Sequence, residues 1–459
     1  MTAQQQADPI AIPRAPMAFW VECLLWVFAL SFALDYRASE ARESGAGAGI
    51  DQLIFLMACT ASSCGIFAIG WRYLLVRPLA WLIGFWALFL TFMLVNALMQ
   101  NVAPGRSLRI ILPLFFCLAG MVNAHIAGCM GIRPSRIVMP IFVAACTNVM
   151  WRMFHGFVFK GVTMENVRTE VQSPASNWIA AWIGCALLLR PKFHWTVILA
   201  IGVLFTGILI TVTRSLLFPV MASALASSAC FLLARHWGHL TWRDGLKKTL
   251  PIAAACVLGL GCLGIAALLQ PALIERWNER LFHHASDRNI TADISYLTRR
   301  AEADALAKIL SESPVHFIHG KGIGASYFWD PAYLPEIYMV FPKSSEVGID
   351  VWFAGHSTWT YAIFSGGFIA LACMVGLLVS VMVLSLKSAR ANATQAGPDQ
   401  WLAYLPFIAT SCLLSETLTS NPFDERLTGI IFGVMAGLPQ AFMVRASWIH
   451  TMNPAPSHV

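Results

Sequence analysis

Apolar runs recur along nearly the whole of this 459-residue chain, near residues 17 to 34, 53 to 70, 79 to 98, 110 to 132, 137 to 154, 177 to 189, 195 to 212, 215 to 235, 249 to 270, 358 to 386, 401 to 419 and 427 to 445. About twenty apolar residues in a helix cover the roughly 30 Å of hydrocarbon in a bilayer. The spacing therefore predicts an all-α, polytopic membrane protein with about twelve transmembrane helices. Composition agrees: the chain is 58% hydrophobic and only 12% charged, where a soluble domain carries about 25% charge. The first run follows a polar tail and, at 18 residues, exceeds a signal-peptide core of about 7 to 15. It reads as an uncleaved first helix.

Twelve spans put both ends on one side of the membrane. With the termini inside, the inner segments hold 14 Lys/Arg and the outer segments, the longest one set aside, hold nine. Positive charge favours the cytoplasmic face. The expected organisation is a cytoplasmic tail over 1–16, nine helices over 17–270, a large outer loop over 271–357, three helices over 358–445 and a second tail over 446–459. All twelve cysteines fall in or at the ends of apolar runs, so neither a zinc site nor a disulfide framework is indicated. The net charge of +7 suits inner loops facing anionic lipid and implies no nucleic acid.

The loop is where soluble chemistry can sit. It holds eight Lys/Arg against eleven Asp/Glu, so it is no generic polybasic patch. Within it, ISYLTRRAEADALAKILSES (294–313) places Ile294, Leu297, Ala301, Ala305 and Ile309 at helical spacing, an amphipathic helix that Pro314 ends. Arg299 and Arg300 lie near its start, about 100° apart, so one of them at most points at a shared site; both also have Glu302 and Asp304 within reach as partners on a solvated helix. GKGIG (320–324) has the look of a phosphate loop, but no strand precedes it and no GK[ST] follows, which favours a plain turn.

Next comes FAGHSTWTYAIFSGG (353–367). One helix from Thr358 to Leu386 is longer than a bilayer core requires, and Gly366 and Gly367 are the natural break. A short helix over about 357–365 is expected, with His356 beside its N-cap and facing water. A histidine there is either an interfacial anchor or, because it accepts a proton near neutral pH, a general base. Arg214 stands in FTGILITVTRSLLFPV between two apolar runs that must turn tightly around it. An arginine near hydrocarbon either snorkels to the headgroups or meets an anion. Asp35, Glu40, Glu43 and Asp51 in the first outer loop are possible metal carboxylates, although Gly/Ala/Ser punctuation reads as a solvated loop.

Taken in order, Thr213-Arg214-Ser215, Arg299 or Arg300 running through Pro314 to Gly320 and Gly322, and His356 followed eleven residues later by Gly367 resemble the O-antigen ligase family of the O-antigen ligase/polymerase superfamily. The likeness covers roughly 200 to 390. Two positions depart from the family's pattern, Ser357 where Asn is frequent and Thr360 where Leu is frequent. Asn177, in TEVQSPASNWIAAW, is similar to a position in an Asn-Pro element of the same superfamily. The resemblance implies a metal-independent glycosyltransferase without a cofactor, in the bacterial inner membrane with its site facing the periplasm. It would move O-antigen from undecaprenyl diphosphate, the donor, to a sugar hydroxyl of the lipid A core, the acceptor. In that role His356 is the catalytic residue, and Arg214 with Arg299 or Arg300 binds the diphosphate.

Two other functions fit parts of the pattern. An O-antigen polymerase would use the same donor but extend a second lipid-linked glycan. A lipid-linked glycan transporter is suggested by the span count, yet transporters keep ionisable groups near mid-membrane, and here Glu22, His125 and Glu416 are the candidates for that.

Overall fold

The computed structural model describes residues 15–36, 50–162, 171–190, 194–211, 214–245, 294–333, 355–392 and 397–452, with single positions elsewhere that include 352 and 353. These residues are overwhelmingly helical, and the one β pairing among them is an isolated bridge between Tyr327 and Trp352. In chain order the helices used below are α1 (Ala18–Leu30), α2 (Ile50–Gly70), α3 (Ala80–Met99), α4 (Pro104–Cys129), α5 (Pro134–Phe159), α6 (Ser176–Leu189), α7 (Trp195–Thr211), α8 (Leu217–His236), α9 (Ile294–Ser311), α10 (Pro314–His319), α11 (Thr358–Ala391), α12 (Leu405–Thr417), α13 (Arg426–Gly437) and α14 (Pro439–Met452).

Among the described residues, seven stretches are long and apolar enough to cross a membrane: Ile50–Tyr73, Ala80–Met99, Pro104–Cys129, Pro134–Phe159, Leu217–His236, Thr358–Ala391 and Arg426–Ser447. Ala18–Leu30, Ser176–Leu189 and Trp195–Thr211 are apolar but shorter. The chain is thus a helical, membrane-embedded protein. Helices form here because lipid leaves no partner for a free backbone group and an α-helix satisfies all of its own. Proline at the first position of α4 and α5 starts each helix where an N–H has no partner to lose. Most of the apolar run at 249–270 lies outside the described residues.

Close packing at the centre rests on glycine. Gly429, Gly433 and Gly437 lie four apart on one face of the α13 stretch, against the carbonyls of Pro113, Cys117 and Met121 on α4. A Cβ at Gly429, Gly433 or Gly437 would lie 2.0, 2.2 or 2.6 Å from those oxygens. Small residues let backbones approach in lipid, where packing rather than water expulsion drives association.

Polar contacts sort the connections between helices into two groups at opposite ends of the bundle. At one end, the Tyr404 hydroxyl shares a 2.8 Å hydrogen bond with His239, Ser135 donates to Asp399 at 2.9 Å, His125 Nε2 donates to the Tyr73 carbonyl at 2.8 Å and Gln440 donates to the Arg77 carbonyl at 3.3 Å. At the other end meet Asp35, Gln52, Arg152, Glu302, His356 and the turn 418–426. α12 links them: it begins beside Tyr404 and ends at Thr417, about 20 Å later at 1.5 Å per residue.

The expected break in α11 falls at Gly367, whose φ of 67° and ψ of −163° interrupt the helix. The interruption frees carbonyls, and the GKGIG stretch takes them up. Lys321 N donates to Phe364 O at 2.7 Å and Gly322 N to Ser365 O at 3.1 Å, while Asn96 of α3 donates to Ser365 O at 3.3 Å. Gly320, Gly322 and Gly324 all have positive φ, and a Cβ on Gly320 would come within 2.5 Å of Phe364 O. These glycines make a backbone clamp on the kink, rather than a phosphate cradle or a free turn.

Candidate functional site

α9 forms as its periodicity predicts, with Leu297, Ala301 and Ala305 buried and Ile309 partly so; the side chain of Ile294 lies outside the described residues. Pro314 does end it and also opens α10, behind Ser313 as N-cap. The buried side of α9 also holds a charge. Glu302 is 1% exposed, and α9 brings it to the lip of α11.

There Glu302 Oε2 accepts from His356 Nδ1 at 2.7 Å and from His356 N at 2.9 Å, and Oε1 accepts from Ser357 N at 3.4 Å. The Tyr327 hydroxyl hydrogen-bonds the same carboxylate. Burial, and then the negative charge of Glu302, push the Tyr327 phenol well above its ordinary range, so it remains a neutral donor. Ser357, the N-cap of α11, makes no side-chain cap bond; Glu302 takes up N–H groups at that entrance instead. The His356 side chain is 34% exposed. Its Nε2 has no hydrogen bond among the described residues. Trp352 lies 4.9 Å from the imidazole, stacked in turn on Trp329.

A second set of contacts holds the turn after α12 against this histidine. Asn421 donates to the Gly355 carbonyl at 3.2 Å, and Thr358 donates to Asn421 at 3.1 Å. Arg299 lies one helical turn before Glu302, on the same side of α9. Its guanidinium donates to the Thr419 carbonyl in that turn. Arg300 is 60% exposed and faces Asp304 at 3.9 Å. Of the two arginines, Arg299 is thus the one directed at the site, and Arg300 behaves as the solvated-helix reading describes. Glu302 does not pair with either.

Arg214 forms a short 3₁₀ turn with Ser215 and Leu216 between α7 and α8; its side chain lies outside the described residues. α8 packs on α12, where Cys412 donates to the Pro219 carbonyl at 3.3 Å. Pro219 is five residues past Arg214, and Cys412 is five before Thr417, so the Arg214 turn sits at the same end of the bundle as His356.

The remaining candidates are engaged elsewhere. Asp35 accepts from Gln52 at 2.8 Å and lies 4.0 Å from Arg426; Glu40 and Glu43 lie outside the described residues, and Asp51 makes a polar contact of its own. The described residues hold no group of three or more His, Cys, Asp or Glu fit for a metal ion. Asn177 is buried and donates to Glu416. Glu22 pairs with Arg136 at 2.9 Å.

Sequence reasoning missed three features. Glu302 appeared only as a possible partner for arginine; the available signal was its place beside Ala301, Ala305 and Leu306 on a stripe that is otherwise apolar. Arg106, at the start of α4, stacks its guanidinium 3.9 Å from the Phe353 ring, three residues before His356, and faces no carboxylate among the described residues. SNPFDER (420–426) is a polar island between two apolar runs, and it supplies the turn that braces Gly355. Compared with known protein families and with curated proteins, the chain matches none.

Proposed function

We propose that the protein is a glycosyltransferase of the O-antigen ligase type, moving a glycan from undecaprenyl diphosphate to a sugar hydroxyl of the lipid A core on the periplasmic face of the bacterial inner membrane. The observation that carries this reading is the pairing, at one end of the bundle, of an imidazole fixed through Nδ1 with guanidinium groups that have no carboxylate partner among the described residues, Arg299 and Arg106. The order of motifs around Arg214, Arg299 and His356 supports it from the side of sequence.

Glycosyl transfer from a diphosphate has two electrostatic requirements. The acceptor oxygen must shed its proton as it bonds to the anomeric carbon, and the bond from that carbon to the diphosphate oxygen must break with charge developing on the leaving group. Nε2 of His356 takes the proton. Arg299, Arg106 and Arg214 hold the phosphate oxygens, which guanidinium forks bind bidentately while staying charged at any physiological pH. No metal is required for either step in this scheme.

The twelve-helix topology belongs to the same proposal. The chain leaves α8 near His239, at the end of the bundle opposite His356, and returns in α9 beside His356. The proposal takes the apolar run 249–270, most of which lies outside the described residues, as a further crossing between them. With it, the connections after the first, third, fifth, seventh, ninth and eleventh runs all fall on the His356 side.

The test is a reconstitution. Purified protein in detergent is incubated with an undecaprenyl-diphosphate-linked glycan and lipid A core, and the expected product is core carrying the glycan. Longer lipid-linked glycan with unmodified core identifies a polymerase, and absence of any transfer by folded protein overturns the enzyme reading in favour of transport.

A further inference from the structure

We infer that Glu302 is the positioning residue of His356, holding the imidazole with its proton on Nδ1 so that a bare Nε2 faces the acceptor hydroxyl. The inference rests on the transfer reading for its purpose and on geometry for its content. Neutral imidazole is a mixture of two tautomers, and only the one with a free Nε2 can take a proton from a group on the open side of the ring. A carboxylate accepts and does not donate. At 2.7 Å from Nδ1, Glu302 therefore selects that tautomer and rejects the other.

The carboxylate is itself held in an accepting role. His356 N, Ser357 N, His356 Nδ1 and the Tyr327 hydroxyl all donate to it, so it is the acceptor in each of these contacts. When the acceptor proton moves to Nε2, the ring becomes cationic beside a fixed anion. The proton goes no further; Glu302 stays unprotonated and stabilises the pair. Two further acts follow from the same contacts: the backbone bonds to His356 and Ser357 fix the ring's attachment point, and Tyr327 ties the carboxylate to the 320–333 loop that clamps the kink in α11.

The groups beside the ring are Glu302 from α9, Trp329 from the loop after α10 and Trp352 from the segment before α11, and around Glu302 stand Tyr327, Tyr361 from α11 and, next to those phenols, Asp424 from the turn after α12. Arg106 from α4 reaches the same neighbourhood through Phe353. Glu302 is the one of these that bonds the imidazole.

The deciding measurement is the ring-nitrogen spectrum of His356 in ¹⁵N-histidine-labelled full-length protein in nanodiscs, its signal assigned by the resonance lost in His356→Gln among the 12 histidines. The wild type is expected to show protonated Nδ1 and bare Nε2 when neutral. Glu302→Gln is expected to lose that preference for one tautomer, and Glu302→Asp to restore part of it. In the transfer assay, kcat of Glu302→Gln should fall roughly 10³- to 10⁴-fold, as when a triad aspartate becomes an amide. KM for donor and acceptor should be unchanged. A folded Glu302→Gln protein with an unaltered tautomer overturns the inference, as does a loss of kcat that Glu302→Asp does not partly restore, which marks a structural role. If the tautomer behaves as expected while the wild type transfers nothing, Glu302 keeps its place beside His356 and the transferase reading is the one that fails.

Discussion

Both ends of this bundle are studded with polar side chains, but they spend them differently. At the end holding His239, polar groups bond one another and the backbone within the fold: His239 meets a phenol, His125 a carbonyl, Gln440 another carbonyl, Asp399 the Ser135 backbone and hydroxyl at the start of α5, and Glu22 the Arg136 guanidinium. Burial holds His239 below the ordinary histidine range, which keeps it neutral. At the other end His356 meets a buried carboxylate, keeps one ring nitrogen outward, and shares the surface with Arg106 and Arg299. A histidine whose bonds all end within the fold finishes helices. One that is held on a single side and open on the other can do chemistry.

The largest effect should come from the histidine pair. His356→Ala is expected to reduce transfer by about 10²- to 10⁴-fold, the range for loss of a general base, whereas His239→Ala should stay within about twofold of wild type. Equal losses would erase the distinction between the two ends. The arginines give the next contrast. Arg299→Ala should lower transfer by about 10²-fold or more, as when one donor to a developing anion is removed, and Arg300→Ala should be nearly silent; a reversed ranking in initial rates would reassign the diphosphate site.

A substitution between the two ends tests the scaffold they share. Gly433→Ala places a Cβ 2.2 Å from the Cys117 carbonyl, and the separation of α4 from α13 that follows should destabilise by about 1–3 kcal/mol, read as earlier thermal unfolding of both ends together. The smallest effect is on pH dependence. Because the folded His239 titrates below its unfolded value, the stability linked to its neutral ring is fully present above about pH 6.5 and is lost as pH falls through the lowered folded value. His239→Gln should flatten the acid side of the thermal-stability profile in that window while leaving the neutral side in place.

Much of the helical scaffold was open to reading. The apolar runs became helices wherever the structure describes them, the glycine pair broke α11 at Gly367, and Leu297, Ala301 and Ala305 took the buried face of α9. The site was legible only in part. His356 could be singled out because it precedes a helix at the edge of hydrocarbon, but its partner is 54 residues away, and the turn that braces its neighbour Gly355 is 66 away. Arg299 and Arg300 were inseparable because adjacent helical residues differ by about 100°, and which of them turns inward depends on how α9 docks. The glycine ladder on α13 was visible as spacing, yet its meaning required the α4 carbonyls opposite.

What the amino-acid order settled unaided is that this is a helical protein of the membrane. Hydrocarbon thickness and the self-contained hydrogen bonding of a helix act within one segment of about twenty residues, so composition and period suffice to read them. The tertiary structure alone decided which charges meet. Glu302 reaches His356, and Arg299 reaches the turn after α12, because kinked and glycine-packed helices bring distant connections to one end of the bundle. Such contacts depend on relative placement of whole elements, a quantity no local pattern carries.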